Sequence, residues 1–288
     1  MSKKRGFTFT IDKTNAIDSP EGVRDAGKAL KRQIDGAVVP EIDTYRLVTM
    51  ATNAGYADIT AITTSNAYSK FLDANAAISE NEMPLEGRIA YVSPEYYKIL
   101  KQDTNFIKAS DMAQDILIKG QVGSVDGVAV ITVPSIRLAA GVSFIITHPS
   151  ACTSPIKLAD YKMHEDAPGV AGYLIEGLVY YDAFILNNKK NAIATQFGKL
   201  GTLTAIMGAS TSGKGILTVT GNTNGGKLVY KTGASQAAAT FGADVSTWTE
   251  IPASGEISAT ASHKVAVAVS IDDKAVAASS AITVTVGA

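Results

Sequence analysis

The chain has 288 residues, a net charge of −1 and only 18% charged residues, so it carries no electrostatic footprint for nucleic acid or an anionic membrane. Its length admits one large or two ordinary domains with ample core. Cys152 is the single cysteine and excludes an internal disulfide, the charged start MSKKRGFTFTID lacks the apolar stretch of a secretory signal, and no apolar run is long enough to span a bilayer.

Residues 7–11, FTFTI, alternate and are rich in β-formers, which predicts a strand almost at the first residue. With no room for a partner on its N-terminal side, that strand is expected to pair with a distant segment or with another chain. A helix-start signal follows: Ser19 as cap, Pro20 at the first helical position and Glu21 at the positive end of the dipole. Val23, Leu30, Ile34, Ala37, Ile42, Tyr45 and Val48 then recur at helical steps, predicting a long one-striped helix over about 20–54, closed by Asn53-Ala54-Gly55. Pro40 lies inside it, with its ring set against the carbonyl of Gly36, so a kink or short break is expected near 36–40.

Tyr68, Phe71, Leu72, Asn75 and Ile78 mark a second helix, 88–92 (RIAYV) a buried strand, and Ser93-Pro94-Glu95 the start of a short third helix. Over 121–146, Gly123, Gly127 and Gly141 punctuate β-branched runs, predicting two or three strands. His148-Pro149 and Ser154-Pro155 mark a loop leading into LADYKMHEDAPG. A strand pair is expected at 172–179 and 181–186, a polar turn at 187–190, and the end of the domain at 192–197. These elements make a mixed α+β domain with a predominantly antiparallel sheet.

From Gly198 onward, 52 of 91 residues are Ala, Gly, Ser or Thr and no arginine occurs, which sets a domain boundary near 197–201. TLTAI, GILTVTG, KLVYKT, TWTEI, EISAT, KVAVAVSI and AITVTV are short alternating runs separated by turn residues. They predict a small all-β immunoglobulin-like sandwich with Trp248 as a lone aromatic anchor.

No constellation of residues points to catalysis, a cofactor or a metal. Gly208–Gly215 approaches a phosphate loop, but Gly215 replaces the magnesium-binding hydroxyl and a strand follows instead of a helix, so a turn is expected. His148, His164 and His263 lack metal-ligand spacing, and His164-Glu165-Asp166 reads as an exposed polar loop. Asp272-Asp273 reads as a hairpin turn, Glu41 and Asp43 as solvated charge, and Cys152 as a small buried hydrophobe. Tyr96-Tyr97 and Tyr180-Tyr181 are each expected to place one ring inward and one outward.

Five stretches, FTFTID (7–12), DAGKALKRQIDGAVVPEIDTYRLVTMATNAG (25–55), GRIAYVSPEYYKIL (87–100), GQVGSVDGVAVITVPS (120–135) and GYLIEGLVYYDAFILNNKKNAI (172–193), together resemble a major capsid protein of a tailed bacteriophage. The resemblance covers about 1–197 and rests on order and spacing. It implies an L-shaped subunit: a peripheral domain carrying the spine helix 20–54, an axial domain over 88–147, and returning strands 172–186 beneath the spine. It also implies hexamers and pentamers closing an icosahedral shell around packaged DNA, with portal and scaffold proteins as partners. The subunit would be made in the bacterial host cytoplasm, reside in the virion and have no membrane association. The family's usual N-terminal arm and outgoing loop strand are not matched, so contacts made through them are not carried over. Region 198–288 resembles bacterial immunoglobulin-like (group 2) modules, implying an outward decoration with weak host-surface contact. The alternatives are a tail-tube subunit or a surface-binding module carried by 198–288.

Overall fold

The computed structural model describes residues 2–12, 14, 26–103, 106, 121–165, 167–211 and 213–287. The helix-start signal with Ser19, Pro20, Glu21 and Val23 lies outside the described residues, as do Asp166 and Ser212. The chain forms two compact units, Met1–Arg46 with Cys152–Ile185, and Leu47–Ala151 with Leu186–Ala288.

In the first unit, β1 (Lys3–Asp12) pairs antiparallel with β9 (Gly172–Tyr181) in unbroken register, Lys3 opposite Tyr181 and Asp12 opposite Gly172. Its partner therefore comes from this same chain. β9 pairs on its other side with β8 (Ile156–His164), giving the order β1-β9-β8. The stretch after Ser154-Pro155, given no element from its sequence, is a strand. The expected pair over 172–179 and 181–186 is cut differently: the first strand runs on to Tyr181 and the second is short, Phe184–Ile185. Alternating burial along β9 shows why: one face packs inward, a period that its nearly continuous apolar sequence hides. The short strands β7 (Cys152–Thr153) and β10 (Phe184–Ile185) pair with each other.

The spine is α1 (Ala26–Gln33), a π-turn (Ile34–Val38) and α2 (Val39–Thr52), without a break between them. The bend expected at Pro40 takes the form of this π-turn. Proline brings no N–H to bond the Gly36 carbonyl and its ring would press on it; the wider turn lets Val39 N–H reach Ile34 O instead, five residues back. Ile42 packs with Val179 and Tyr181 of β9, joined by Val38, Tyr45 and Tyr161, so the spine lies on one face of this sheet. The division between units falls within α2, after Arg46.

The second unit holds a six-stranded sheet in the order β2-β11-β6-β3-β5-β4. Its strands are β2 (Tyr56–Ile59), β3 (Ile89–Val92), β4 (Gln121–Val125), β5 (Val128–Thr132), β6 (Val142–Thr147) and β11 (Ile193–Phe197). The β2/β11 and β3/β5 pairs are parallel, so this sheet is mixed, whereas β1-β9-β8 is wholly antiparallel. Helices α3 (Ala67–Glu80) and α4 (Pro94–Gln102) cover one face, burying Phe71, Ile78, Tyr96 and Leu100 against Val92, Val130, Phe144 and Ile146. Ser93 caps α4 by accepting from Tyr96 N–H at 3.2 Å, with Pro94 in the first turn.

The same unit continues into strands β12 (Gly201–Ala209), β13 (Lys214–Gly221), β14 (Lys227–Gly233), β15 (Thr249–Glu250), β16 (Glu256–Ser258), β17 (Lys264–Ile271), β18 (Lys274–Ala278) and β19 (Ile282–Thr283). All seven predicted runs contain a strand, and β18 is an eighth. β12 serves two neighbours: Gly201 and Thr202 run parallel to β18, and from Leu203 onward it pairs antiparallel with β13. Trp248 packs beside Val229, Ala239, Val245 and Ala268, a cluster in which small side chains let a loop lie close on the sheet. Asn222 and Asn224 hold the 135–140 segment: Asn222 Nδ2 donates to Ser135 O and Leu138 O, Asn224 Nδ2 to Ile136 O, and Ala140 N–H to Asn224 O.

Candidate functional site

Among the described residues, the phosphate-loop-like stretch, the three histidines, the Asp272-Asp273 pair and Cys152 stay apart from one another. Gly208 to Gly215 span the β12–β13 hairpin, where Ala209 faces Gly215 and Lys214 N–H closes on Thr211 O at 2.9 Å. Lys214 Nζ is engaged by Glu256 at 3.1 Å, and Ser210 Oγ donates to the same carboxylate at 2.8 Å. These bonds, that from Ser210 foremost, hold the Glu256 carboxyl below its usual range. Asp272 and Asp273, both at positive φ, form the β17–β18 turn. His148 meets Ser150 at 2.8 Å and His164 meets Glu176 at 3.1 Å, while His263 precedes β17 in a third place. Among the described residues, no three His, Cys, Asp or Glu side chains are grouped to hold a metal. No helix there is long and apolar enough to cross a membrane. Cys152 is half-buried, and burial pushes its thiol up against the opposing pull of Arg46, so it stays protonated at neutral pH. Tyr96 and Tyr181 are buried while Tyr97 and Tyr180 are half-buried.

The residues that do converge fasten the spine to the three-stranded sheet. Glu41, read from sequence as a solvated charge, accepts from Arg5 Nε at 2.5 Å and from Tyr181 OH at 2.9 Å. Burial, then the bond to Glu41, pushes the Tyr181 phenol up to about 12. Glu41 in turn raises the Arg5 guanidinium, chiefly through their hydrogen bond. Asp182, 4% exposed, accepts from Tyr45 OH at 3.0 Å, Ala183 N–H at 2.9 Å and Ser2 N–H at 2.7 Å. Burial opposes its charge, but the bonds from Ala183, Tyr45 and Ser2 outweigh that and hold its carboxyl below the usual range. The Tyr45 ring meets Tyr181 edge-on at 5.8 Å and carries Lys3 Nζ on its face at 5.1 Å. Arg46 reaches the Ser154 hydroxyl, and Ser154 Oγ donates to Asp182 O. Odd-numbered residues of β1 thus face the spine. Even-numbered ones face the other way, where Gly6, Thr8, Asp160, Lys162, Glu176 and Leu178 line a shallow cavity of about 350 Å³. Glu176 on that open face is the partner of His164, whereas the contacts on the spine side hold strands and a helix in place.

These contacts were hidden in the sequence because all but the bond from Ala183 to Asp182 join residues far apart along the chain. One local signal was available: period-two alternation in β1 puts Lys3 and Arg5 on the same side as Phe7 and Phe9, hence toward whatever that face covers.

Comparison with known proteins fits this architecture. The family model for phage capsid protein matches residues 2–193. The chain therefore belongs to the phage capsid protein family, a family of structural proteins. No curated protein matches it. Among solved structures, one from Mycobacterium phage Che8 is similar at 17% identity and a TM-score of 0.53, over 68% of this chain and 70% of that one. The capsid structure of cyanophage P-SCSP1u is similar at 14% identity and a TM-score of 0.54, over 68% and 72%. A structure from Gordonia phage Cozz gives 12% and 0.50, over 68% and 69%. At these identities the likeness establishes a shared fold.

Proposed function

We propose that this protein is the shell subunit of a tailed-phage or prophage capsid, self-assembling through hexamers and pentamers into an icosahedral shell that encloses DNA without reading its sequence. The family match across residues 2–193 carries this reading. In it, residues 1–197 form the capsid domain, the spine belongs to the peripheral part, and 88–147 are the axial part at the centre of each capsomer. Region 198–288 is an immunoglobulin-like decoration on the outer surface, with weak host-surface contact as its role. The protein resides in the virion after synthesis in the host cytoplasm, alongside portal and scaffold partners. Its polar clusters serve to hold elements together, and the reading assigns it no catalytic residue, cofactor or metal.

Negative-stain microscopy with light scattering on the purified chain tests this. Closed particles or capsomer-sized rings are expected. A monomer at every concentration and salt overturns it, and rings of fixed six-fold symmetry stacking into tubes replace it with a tail-tube subunit. A glycan array tests the surface contact; signal no higher than background removes that role from 198–288.

A further inference from the structure

We propose that the outer edge of β1 is a self-pairing surface, where β1 of a second copy adds antiparallel about a two-fold axis through Thr8. This rests on the shell-subunit reading, which supplies many copies, and it names the contact. A sheet edge presents a row of backbone donors and acceptors ready to template another strand, and natural edges are blunted by bulges, charge, proline or short length. The two edges of the β1-β9-β8 sheet differ in this respect. Both edges carry charge, but β8 is in addition blunted by a bulge, its register shifting between Ile156 and Leu158. β1 runs for ten residues in unbroken register without proline, and among the described residues it pairs only with β9.

The charge distribution selects the direction. Lys3, Lys4 and Arg5 sit at one end of β1 and Asp12 at the other. Parallel addition would lay three cations on three cations, whereas antiparallel addition sets the basic end against the acidic end. The facing of side chains selects the register. Lys3, Arg5 and Phe7 point to the spine side, against Tyr45, Glu41 and Tyr161. Opposed residues must share a face, so odd numbers oppose odd and even oppose even. The register through Thr8 places Lys4 opposite the partner's Asp12 and Gly6 opposite its Thr10 on the open face. On the spine side it places Phe7 opposite the partner's Phe9, extending the aromatic row in which Phe7 and Phe9 already stack at 6.2 Å.

The test is oxidative cross-linking of the full chain carrying Cys152→Ser with Thr8→Cys, beside the same chain with Thr10→Cys, each imaged by electron microscopy. Residues directly opposed in an antiparallel pair stand about 4.5–5.5 Å apart at Cα, within disulfide reach. Thr8→Cys is expected to yield a covalent dimer, and Thr10→Cys, set opposite glycine, a monomer. Amide exchange gives an independent reading: β1 amides are expected to exchange at least tenfold more slowly in particles than in dilute monomer. Particles without the Thr8 cross-link and with unchanged β1 exchange overturn the self-pairing edge while leaving the shell reading intact. Cross-linked dimers that never grow into particles uphold the edge and overturn the shell reading. Neither dimers nor particles overturns both.

Discussion

Arg88 is 1% exposed, and its guanidinium is dressed almost entirely in the oxygens of its own neighbourhood: Pro84 O, Met83 O, Asn75 O, Asn75 Oδ1 and Ser79 Oγ. Desolvation lowers its pKa, and Asp126, bonded to Asn75 Nδ2 at 2.7 Å, pulls it back up. The planar fork lets one side chain terminate α3 and brace the turn before β3. Lysine has three donors on a point charge and cannot span these acceptors. Arg88→Lys is therefore expected to cost about 3 kcal/mol, read as a lower urea midpoint with unchanged slope. Tyr181 gives a pH signature. Its folded value of about 12 lies above the free phenol's 10.0, so the fold favours the neutral form. That contribution is complete below the unfolded value and is lost as pH rises from there through the folded one. Tyr181→Phe should remove this alkaline loss, so the wild-type stability advantage over the variant narrows as pH climbs. Asp182 acts at the opposite end: its depressed pKa gives a contribution present above the ordinary 3.8 and lost as pH falls through the folded value. In sequence Asp182 was unremarkable and Tyr181 only one of two rings set to opposite sides, because what distinguishes them is the pair of distant elements, β1 and α2, that fold over them.

Among the elements, the spine was the most legible, since one stripe of apolar residues at helical spacing survives any tertiary context. What the spacing could not supply was how Pro40 is accommodated: a kink, a break and a π-turn all satisfy the same sequence. Gly36 sits within that turn with nothing within 4 Å of where a Cβ would stand. Gly36→Ala is therefore expected to stabilise the protein by about 0.5–1 kcal/mol, visible as a higher melting temperature, by restricting the unfolded chain. β8 was illegible for the opposite reason. Its residues IKLADYKMH mix charge into an edge strand, and edge strands carry polar signatures that resemble loops. At the centre of the same sheet, Gly177 leaves room for two rings; a Cβ there would stand 2.4 Å from Phe7 Cζ and 2.8 Å from Tyr161 Cδ1. Gly177→Ala should cost about 1–3 kcal/mol and disturb the near-ultraviolet circular dichroism of those rings.

For the whole molecule, the compositional shift at Gly198 was plain in the sequence, yet residues 186–288 share a compact unit with 47–151. A change in amino-acid usage reports on how a segment is built and says nothing about what it rests against. Gly141 is one place where the two parts meet: it has φ +74°, and a Cβ would come within 2.7 Å of Val276 O. Gly141→Ala is expected to be among the more damaging single changes, costing about 2 kcal/mol or more and opening the segment around 198–201 to limited proteolysis. The sheet order has a further consequence in time. β1 must wait for β9, and β2 for β11, so neither unit can close until residues near 181 and 197 have left the ribosome. At roughly 5–20 residues per second, strands made in the first moments of translation stay unmatched for on the order of ten seconds or more. Ribosome-arrested chains ending near 170 should be protease-sensitive throughout, whereas chains arrested well past 230 should already protect their first strand, and chaperones have that interval in which to act.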